Sequence, residues 1–524
     1  MKGLTARLLH SSGVRGCAEV LILLFQGTLL AHPCAPCHAR EVEGYQRNAM
    51  SHSLRTAMGE PDGEYDHTKS NTRFLVRSSR SAVYQRTQHD GQNSDYRIDY
   101  VIGSGIHASC YLARVGDHLF ESPICRYPDR GYAMAPGYEE NPAPGFTRPV
   151  TIECLLCHSD RPLPIPGTLN AYRTPAFSEE AISCDRCHGD PAAHLQRPVP
   201  GSIVNPAKLP AAERDSICER CHLAGAIRVL NPGKNLTDFH PGQRLESAFI
   251  TYVAAAPEGA NTPLRVISQS EQLAQSRCMI ASKGRMWCGT CHDPHNPAND
   301  AAAYYRGRCL SCHPQPLPAA HPGRTADCLP CHMPRREAVD GGHTAFTDHR
   351  IQRRPEKESP VAPIQALRAW REPPLAWRER SRALALNYAG IRYGSAAMVS
   401  QSYQMLLALE KTFPNDPDIL AALGNALLNR NQPSDAARIF ERALTARHDD
   451  PSLEDDAGRA YLEAGDKPSA ARHFESALKL DPLLLPDIEA LLLIYRETGD
   501  KERQSALTRR VQDAMITGPR DAKR

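Results

Sequence analysis

Residues 32–46, HPCAPCHAREVEGYQ, place Cys34 and Cys37 on either side of a two-residue gap, with His38 directly after the second cysteine. A single pair of this kind fits a redox dithiol, a zinc site or an attachment point for a larger group. The same Cys-x-x-Cys-His pattern occurs seven times, although the composition predicts far fewer than one copy by chance. The seven copies are Cys34/Cys37/His38, Cys154/Cys157/His158, Cys184/Cys187/His188, Cys218/Cys221/His222, Cys288/Cys291/His292, Cys309/Cys312/His313 and Cys328/Cys331/His332.

The spacing within each copy fits covalent haem attachment. Two thiols on one helical turn can both form thioethers to the vinyl groups of a haem, and the histidine that follows then reaches the iron. A structural zinc site closes with four ligands and has no use for a histidine fixed after every second cysteine. A thioredoxin-type pair needs a βαβ setting and would not recur seven times. The motifs therefore predict seven c-type haems, with the seven motif histidines as proximal iron ligands.

The composition is lean for a chain of 524 residues, with 41% hydrophobic residues, 6% aromatic residues and 43 prolines. A porphyrin is a large apolar body, so packed haems can replace much of a side-chain core. We therefore expect a mainly α fold: a loop-rich cytochrome domain with short helices and little sheet, followed by an α-solenoid.

Each iron also needs a sixth ligand, and histidine supplies more candidates than there are sites. His194 and His295 each follow a proximal histidine by a few residues, so they reach a neighbouring haem more easily than their own. Met50 competes with the histidines, and histidine/methionine ligation would raise the reduction potential. Twelve histidines of the cysteine-rich region remain as candidates: His32, His52, His67, His89, His107, His118, His194, His240, His295, His321, His343 and His349.

The last part of the chain has no cysteine and repeats itself with a period of 34 residues. Gly424 aligns with Gly458, and Phe440 aligns with Phe474. This period and its small–large pattern are typical of tetratricopeptide repeats, which stack helix pairs into a concave groove that binds a protein partner. Bracing of the haem domain and self-association are the alternatives for this stack.

Four further features concern location, partners and the remaining cysteines. The basic start and the short apolar run VLILLFQGTLLA at residues 20–31 predict a signal peptide and an exported, periplasmic or extracellular protein, with no transmembrane span after its removal. Cys110 and Cys125 either form a disulfide in an oxidising compartment or remain separate thiols. Cys278 has no evident role. A net charge of +3 gives no electrostatic reason to expect nucleic acid as a partner.

These features divide the chain into five predicted segments. Residues 1–31 are the signal peptide, 32–355 the heptahaem domain, 356–380 a charged, proline-rich linker, 381–515 the helical repeats and 516–524 a tail.

Six stretches resemble a family of bacterial multihaem c-type cytochromes, related to the tetrahaem electron carriers of ammonia oxidisers and carrying tetratricopeptide repeats behind the haem domain. They are CAPCHAREVEGYQRNAMSHS (34–53), YVIGSGIHASCYL (100–112), CDRCHGDPAAH (184–194), CGTCHDPH (288–295), CLPCHMP (328–334) and TDHRIQRR (347–354). The resemblance covers roughly residues 32–510. It implies seven distal ligands: His67, His107, His194, His295, His321, His343 and His349. It leaves His52, His89, His118 and His240 as surface residues and the pairing of distal ligands with haems open.

The expected function is electron transfer along seven closely packed haems, with the repeats docking a redox partner. If every iron has two histidine ligands, no substrate can bind to iron, and no residue is predicted to be catalytic. The alternative is a haem-dependent oxidoreductase of small nitrogen or sulfur compounds at one iron with an open position. All seven motifs end in histidine, which argues against the lysine-ligated haem of multihaem nitrite reductases. A third possibility is a repeat-driven conductive polymer.

Overall fold

The computed structural model describes residues 32–255, 263–313, 321, 327–354 and 364–516. The predicted signal peptide lies outside these residues, as do most of the predicted tail and residues 356–363 of the predicted linker. The described chain forms two compact units, one made of residues 32–48 with Asp293–Asn299, the other of the remaining described residues.

The smaller unit is built on one helix, α1 (Ala35–Tyr45), which carries the first motif at its start. Gly44 faces residues 295 and 296, and a Cβ on it would come within 2.5 Å of the His295 carbonyl oxygen. Asn48 Nδ2 donates to the Pro294 carbonyl oxygen at 2.9 Å. The close approach of the two segments therefore requires glycine at position 44.

The larger unit begins with a nine-stranded antiparallel sheet. Strands β2 to β8 follow each other in sequence order, while β1 pairs with β5 and β9 pairs with β7. The strands are β1 (Leu54–Thr56), β2 (Gly63–His67), β3 (Thr72–Ser78), β4 (Val83–His89), β5 (Gln92–Ile102), β6 (Ser109–Val115), β7 (His118–Tyr127), β8 (Gly131–Met134) and β9 (Arg148–Pro149).

This sheet contradicts the expectation of a loop-rich helical domain with little sheet. The expectation let haems replace a side-chain core throughout residues 32–355. Residues 39–153 contain no attachment motif, so this stretch cannot rely on a haem attached within it and forms a side-chain core of its own. Phe74, Val76 and Val83 lie in that core and are fully buried.

Local signals for the sheet are present in the sequence. Burial alternates along β3, where Thr72, Phe74 and Val76 point inward. Asp90 and Gly91 connect β4 to β5 with positive φ angles of 46° and 76°, the conformation of a tight hairpin turn.

Cys110 and Cys125 face each other on β6 and β7 and are joined by a disulfide. Of the two alternatives for these cysteines, a disulfide or separate thiols, the structure therefore has the disulfide.

The motifs that follow the sheet lie on short helices. These are α2 (Ile152–His158), α3 (Asp185–His188), α4 (Ala192–Gln196), α5 (Ala211–His222), α6 (Gln269–Gln275), α7 (Arg277–Ser282), α8 (Cys288–Cys291), α9 (Ala301–Leu310) and α10 (Leu329–His332). Small antiparallel sheets accompany them: β10 (Arg161–Pro164) with β11 (Tyr172–Glu179), β12 (Ile227–Leu230) with β13 (Phe249–Ala254), and β14 (Arg335–Glu337) with β15 (Ala345–Thr347). A further strand, β16 (Leu367–Ala369), lies within the segment predicted to be a linker and pairs with β13.

Eight helices in four antiparallel pairs complete the chain. They are α11 (Arg378–Arg392), α12 (Ala396–Thr412), α13 (Pro417–Leu428), α14 (Pro433–Ala446), α15 (Pro451–Glu463), α16 (Lys467–Leu480), α17 (Leu485–Thr498) and α18 (Lys501–Ile516). The last three pairs begin at Pro417, Pro451 and Leu485, so the 34-residue period of the sequence is also the period of the helix pairs.

The small–large pattern of the repeats is a tight contact between paired helices. A Cβ on Gly458 would lie 2.6 Å from the ring of Phe474, which is fully buried. We expect Gly458→Ala to lower the free energy of unfolding by about 1–3 kcal/mol because the ring must shift in a packed core. Urea denaturation measures this. Gly307→Ala is the matched control, since Gly307 lies in α9 with no atom within 4 Å of the added carbon. A Gly458→Ala protein as stable as the control would contradict this packing.

The repeats are joined to the rest of the larger unit at both ends. At the first repeat, Arg380 on α11 binds Asp416 and Asp418 at 2.6 Å and donates to the Leu230 carbonyl oxygen at 3.1 Å. At the other end, Leu483 belongs to the core of the nine-stranded sheet. The stack is therefore fixed to the rest of the larger unit at both ends instead of extending freely from it.

A buried carboxyl lies between the last two repeats. Asp487 is 1% exposed and occupies the position held by Leu453 one repeat earlier. Burial, and then the neighbouring Asp455, raises the pKa of Asp487 to about 8 from an ordinary value of 3.8. The folded protein therefore keeps a proton that the unfolded chain loses, and stability falls as pH rises from about 4 to 8.

Asp487→Asn removes this titration while keeping a polar side chain of similar shape. We expect the variant to lose less of its free energy of unfolding than the wild type between pH 5 and pH 9, because asparagine has no proton to release. Urea denaturation across this pH range measures the slope. Identical slopes for the two proteins would contradict the raised pKa of Asp487.

Candidate functional site

All seven motifs adopt the same local structure. Five of them close a helical turn in which the histidine N–H donates to the carbonyl oxygen of the first cysteine. The distance from the histidine nitrogen to that carbonyl oxygen is 3.0 Å for His332 and 2.9 Å for the other four, which are His38, His188, His292 and His313. The other two motifs lie within α2 and α5. Each motif therefore presents two thiols and a following imidazole from one turn, the arrangement that thioether attachment and proximal ligation require.

The fourteen motif cysteines, all of them described, are outside any disulfide. Burial raises the pKa of the Cys187 and Cys309 thiols to about 11. Thiols with raised pKa values are mostly protonated near neutral pH, whereas redox-active dithiols depend on a thiolate. These two cysteines do not resemble those of a redox switch.

The motif cysteines differ in exposure. Ten are partly buried, and four are exposed: Cys37, Cys154, Cys312 and Cys331. The attachment roles of these cysteines stay predictions from the motif.

Thiols of different motifs approach each other in the larger unit. Cys157 lies close to Cys221, and Cys218 lies close to Cys288. The second, fourth and fifth motifs thus form a continuous chain. Cys309 and Cys328 bring the sixth and seventh motifs together in the same way. Cys278, which had no predicted role, lies near Cys291.

Hydrogen bonds at Nδ1 orient three of the predicted ligand histidines. The Nδ1 of His188 bonds to the Val204 carbonyl oxygen at 2.8 Å, that of His332 to Gln352 at 2.9 Å and that of His349 to Thr347 at 2.9 Å. A carbonyl oxygen can only accept, so each Nδ1 carries the proton and each Nε2 keeps its lone pair. Metal-binding histidines are typically fixed in this way.

Two pairs of histidines have the separation expected of ligands on opposite faces of one haem. The ring centres of His292 and His349 are 6.2 Å apart with 27° between the planes, and those of His321 and His332 are 6.1 Å apart with 29°. Two imidazoles on one metal place their ring centres about 6 Å apart, since each metal–nitrogen bond is about 2 Å and each ring centre lies about 1 Å behind its nitrogen. The residues present therefore fit bis-histidine haem at two motifs.

Four other predicted distal histidines lie in varied surroundings. The His107 ring packs 4.3 Å from that of Phe346. His194 bonds through Nδ1 to Ser202 at 2.8 Å, and His295 lies 3.8 Å from Asp293 in the smaller unit. Arg130 donates to the Nδ1 of His343 at 3.1 Å. Their ligand roles stay predictions.

His67 is the predicted ligand with the least suitable surroundings. It is 5% exposed, and its Nε2 donates to the Glu139 carbonyl oxygen at 3.2 Å while Ser70 bonds to Nδ1 at 2.7 Å. Ligation through Nε2 would require the bond to Glu139 to break.

His118 was expected on the surface, and this expectation is wrong. The ring is 5% exposed, and Nε2 lies 2.5 Å from Asp481, which is fully buried between α16 and α17. Asp481 also accepts a bond from the Leu169 N–H at 2.7 Å. The two residues are 363 positions apart, so no local pattern could have paired them.

The repeats carry a groove of about 310 Å³ between α12, α13 and α14. Tyr403, Leu407 and Ile439 contribute apolar surface, and Glu410 and Arg442 pair at its edge.

In the part of the chain that is described, no helix combines the length and apolar character needed to cross a membrane.

Comparison with known proteins identifies the repeats alone. The sequence profile of the tetratricopeptide repeat family matches residues 419–454, which confirms the predicted repeat there. No curated protein matches the chain. Solved structures of MamA are similar to part of the chain. One is 18% identical, covers 25% of this chain and 74% of its own, and has a TM-score of 0.23. Another is 14% identical, covers 25% of this chain and 77% of its own, and also has a TM-score of 0.23. Repeats of this family generally mediate contacts between proteins.

Proposed function

We propose that this protein is an exported c-type cytochrome that binds seven haems covalently, transfers electrons and docks a protein partner through its repeats. The observation that carries the proposal is the pairing of His292 with His349 and of His321 with His332 at the spacing of bis-histidine ligands. In each pair, one histidine belongs to an attachment motif and the other comes from outside it.

The chain's own residues account for binding and orientation. The motif cysteines would hold each haem, the motif histidines would bind the iron from one side, and His349 and His321 would bind two of the irons from the other side. When bound, haem supplies an iron that gains and loses one electron. The carbonyl oxygens of Val204, Gln352 and Thr347 hold the ligand rings in place.

The contacts between motif thiols support electron transfer between haems. Cys157 with Cys221, and Cys218 with Cys288, bring the attachment edges of three haems together. Redox centres that lie next to each other can pass an electron from one motif to the next. This arrangement favours electron transfer over a separate reaction at each haem.

The disulfide between Cys110 and Cys125 supports the exported location, because such bonds persist in oxidising compartments.

The attachment of the repeats at Arg380 and Asp481 supports a rigid mount for a partner. A docked redox protein would then be held at a constant distance from the motif region. Bracing and docking are compatible roles for the same stack.

One observation favours the alternative of an oxidoreductase with one open iron position. The Nε2 of His67 bonds to the Glu139 carbonyl oxygen, which conflicts with its predicted role as an iron ligand. An iron that lacks His67 could bind a small nitrogen or sulfur compound unless Met50 or another histidine takes the place.

An electron paramagnetic resonance spectrum of the oxidised protein, with haem quantified on the same sample, separates the two functions. Seven low-spin haems are expected of the electron carrier, because each iron then has two strong ligands. About one high-spin haem in seven would favour the oxidoreductase. Absence of covalent haem would contradict both.

A further inference from the structure

The proximal histidine of the fifth motif is oriented by a side chain. The Nδ1 of His292 lies 3.1 Å from the hydroxyl oxygen of Tyr305. His188 and His332, the proximal histidines of the third and seventh motifs, bond instead to backbone carbonyl oxygens at 2.8 and 2.9 Å. Every residue offers the same backbone carbonyl, whereas a side-chain partner depends on the residue at that position. The partner of His292 is therefore chosen by the sequence at position 305.

Tyr305 reaches the fifth motif from the helix on which the sixth motif begins. It lies on α9, one turn before Cys309, the first cysteine of the sixth motif. Its ring packs against the ring of His292, with 5.5 Å between the ring centres and 67° between the planes. The Cys309 thiol in turn lies close to Cys291 of the fifth motif. One helical turn of α9 thus contacts both an attachment cysteine and the proximal ligand of the preceding motif.

The direction of the hydrogen bond follows from the chemistry of ligation. An imidazole that binds iron through Nε2 uses the lone pair of that nitrogen, so Nδ1 carries the proton and donates it. The hydroxyl oxygen of Tyr305 has lone pairs and accepts. A partner that accepts from Nδ1 fixes the plane of the ring and makes the ligand more basic. A more basic ligand stabilises the oxidised iron, which lowers the reduction potential.

The neighbouring tyrosine on α9 has a different partner. The ring of Tyr304 packs edge-on against that of Tyr305, with 5.2 Å between the ring centres. Arg308 donates to the Tyr304 hydroxyl at 2.9 Å. The Tyr304 hydroxyl therefore bonds within α9, whereas the Tyr305 hydroxyl bonds to a residue of another motif.

We propose that Tyr305 is a positioning residue for electron transfer: its hydroxyl oxygen accepts the Nδ1 proton of His292, holds that ring in place and lowers the reduction potential of the haem at the fifth motif. This inference rests on the proposed function, since it takes His292 as an iron ligand. The bond sets the potential of one haem relative to those attached to the adjacent motifs.

The test is a redox titration of the purified full-length protein, with covalent haem counted on each sample. Tyr305→Phe keeps the aromatic ring and removes only the hydroxyl. Tyr304→Phe is the matched control, because it removes a hydroxyl from the adjacent position of the same helix. We expect Tyr305→Phe to retain seven haems and to shift one midpoint potential to more positive values, since His292 becomes less basic. The control should leave all seven potentials unchanged.

The outcomes separate this inference from the proposed function. Seven haems with no potential shifted to more positive values in Tyr305→Phe would overturn the role of Tyr305 alone. An equal shift in Tyr304→Phe would also overturn it, because a general disturbance of α9 would then explain both results. If Tyr305→Phe does not mature, Tyr305→Leu decides: a positive shift supports the role, and an unchanged potential rejects it. A wild-type protein without covalent haem would overturn the proposed function.

Discussion

Replacing His349 by alanine is expected to convert one of seven haems from low spin to high spin. The ring of His349 is held by the Thr347 carbonyl oxygen and lies 6.2 Å from the ring of the motif histidine His292. If His349 is the distal ligand as proposed, loss of this ring removes the sixth ligand of one iron, while the two thioethers and His292 would still hold the haem. Electron paramagnetic resonance of the oxidised variant measures the high-spin fraction, and covalent haem content is measured in parallel.

His240→Ala is the matched control for this experiment. His240 is an exposed histidine of the same region and was not among the expected ligands. We expect its spectrum to equal that of the wild type. A His349→Ala protein with seven haems and no additional high-spin signal would show that His349 binds no iron, and it would remove the main support for bis-histidine ligation at the fifth motif.

Asp481→Ala is expected to destabilise the larger unit by about 3 kcal/mol or more. The change leaves His118 Nε2 and the Leu169 N–H without their acceptor in a fully buried location. It also removes one of the contacts between the last repeats and the nine-stranded sheet, where Leu483 packs as well. Urea denaturation, followed by far-ultraviolet circular dichroism, measures the loss.

Asp435→Ala provides the comparison for Asp481→Ala. The Asp435 side chain is 45% exposed and pairs with Arg438 on the next turn of α14, so its loss should change the free energy of unfolding by less than about 0.5 kcal/mol. Equal stability of the two variants would mean that the contact between His118 and Asp481 does not hold the repeats to the sheet.

The parts of the molecule that local sequence determines were predictable. Each attachment motif is complete within five consecutive residues, and one helical turn is enough to bring its thiols and imidazole together. The 34-residue period likewise repeats in the starts of the helix pairs at Pro417 and Pro451. In both cases the residues that make the structure are near each other in the chain.

The sheet was not predicted because haems were expected to replace a side-chain core throughout residues 32–355, although residues 39–153 contain no attachment motif. The alternation of buried and exposed residues along β3 and the Asp90-Gly91 turn are signals for strands. The seven haem motifs nevertheless favoured a prediction of short helices. A search for two-residue periodicity in the motif-free residues 39–153 would have found the strands.

The distal ligands and buried pairs depend on long-range contacts. His349 reaches His292 because β14 and β15 return the chain after the last motif, and no spacing rule predicts that path. His118 was predicted to be a surface residue because its partner Asp481 lies in a different part of the sequence.

The most direct test of the central claim is the intact mass of the protein, measured under denaturing conditions after expression with the cytochrome c maturation machinery. Seven covalent haems predict a mass above that of the polypeptide by seven haem groups, retained after acid–acetone extraction, which removes haem that is not covalently bound. A polypeptide of unmodified mass that keeps its fold and its repeats would contradict the account.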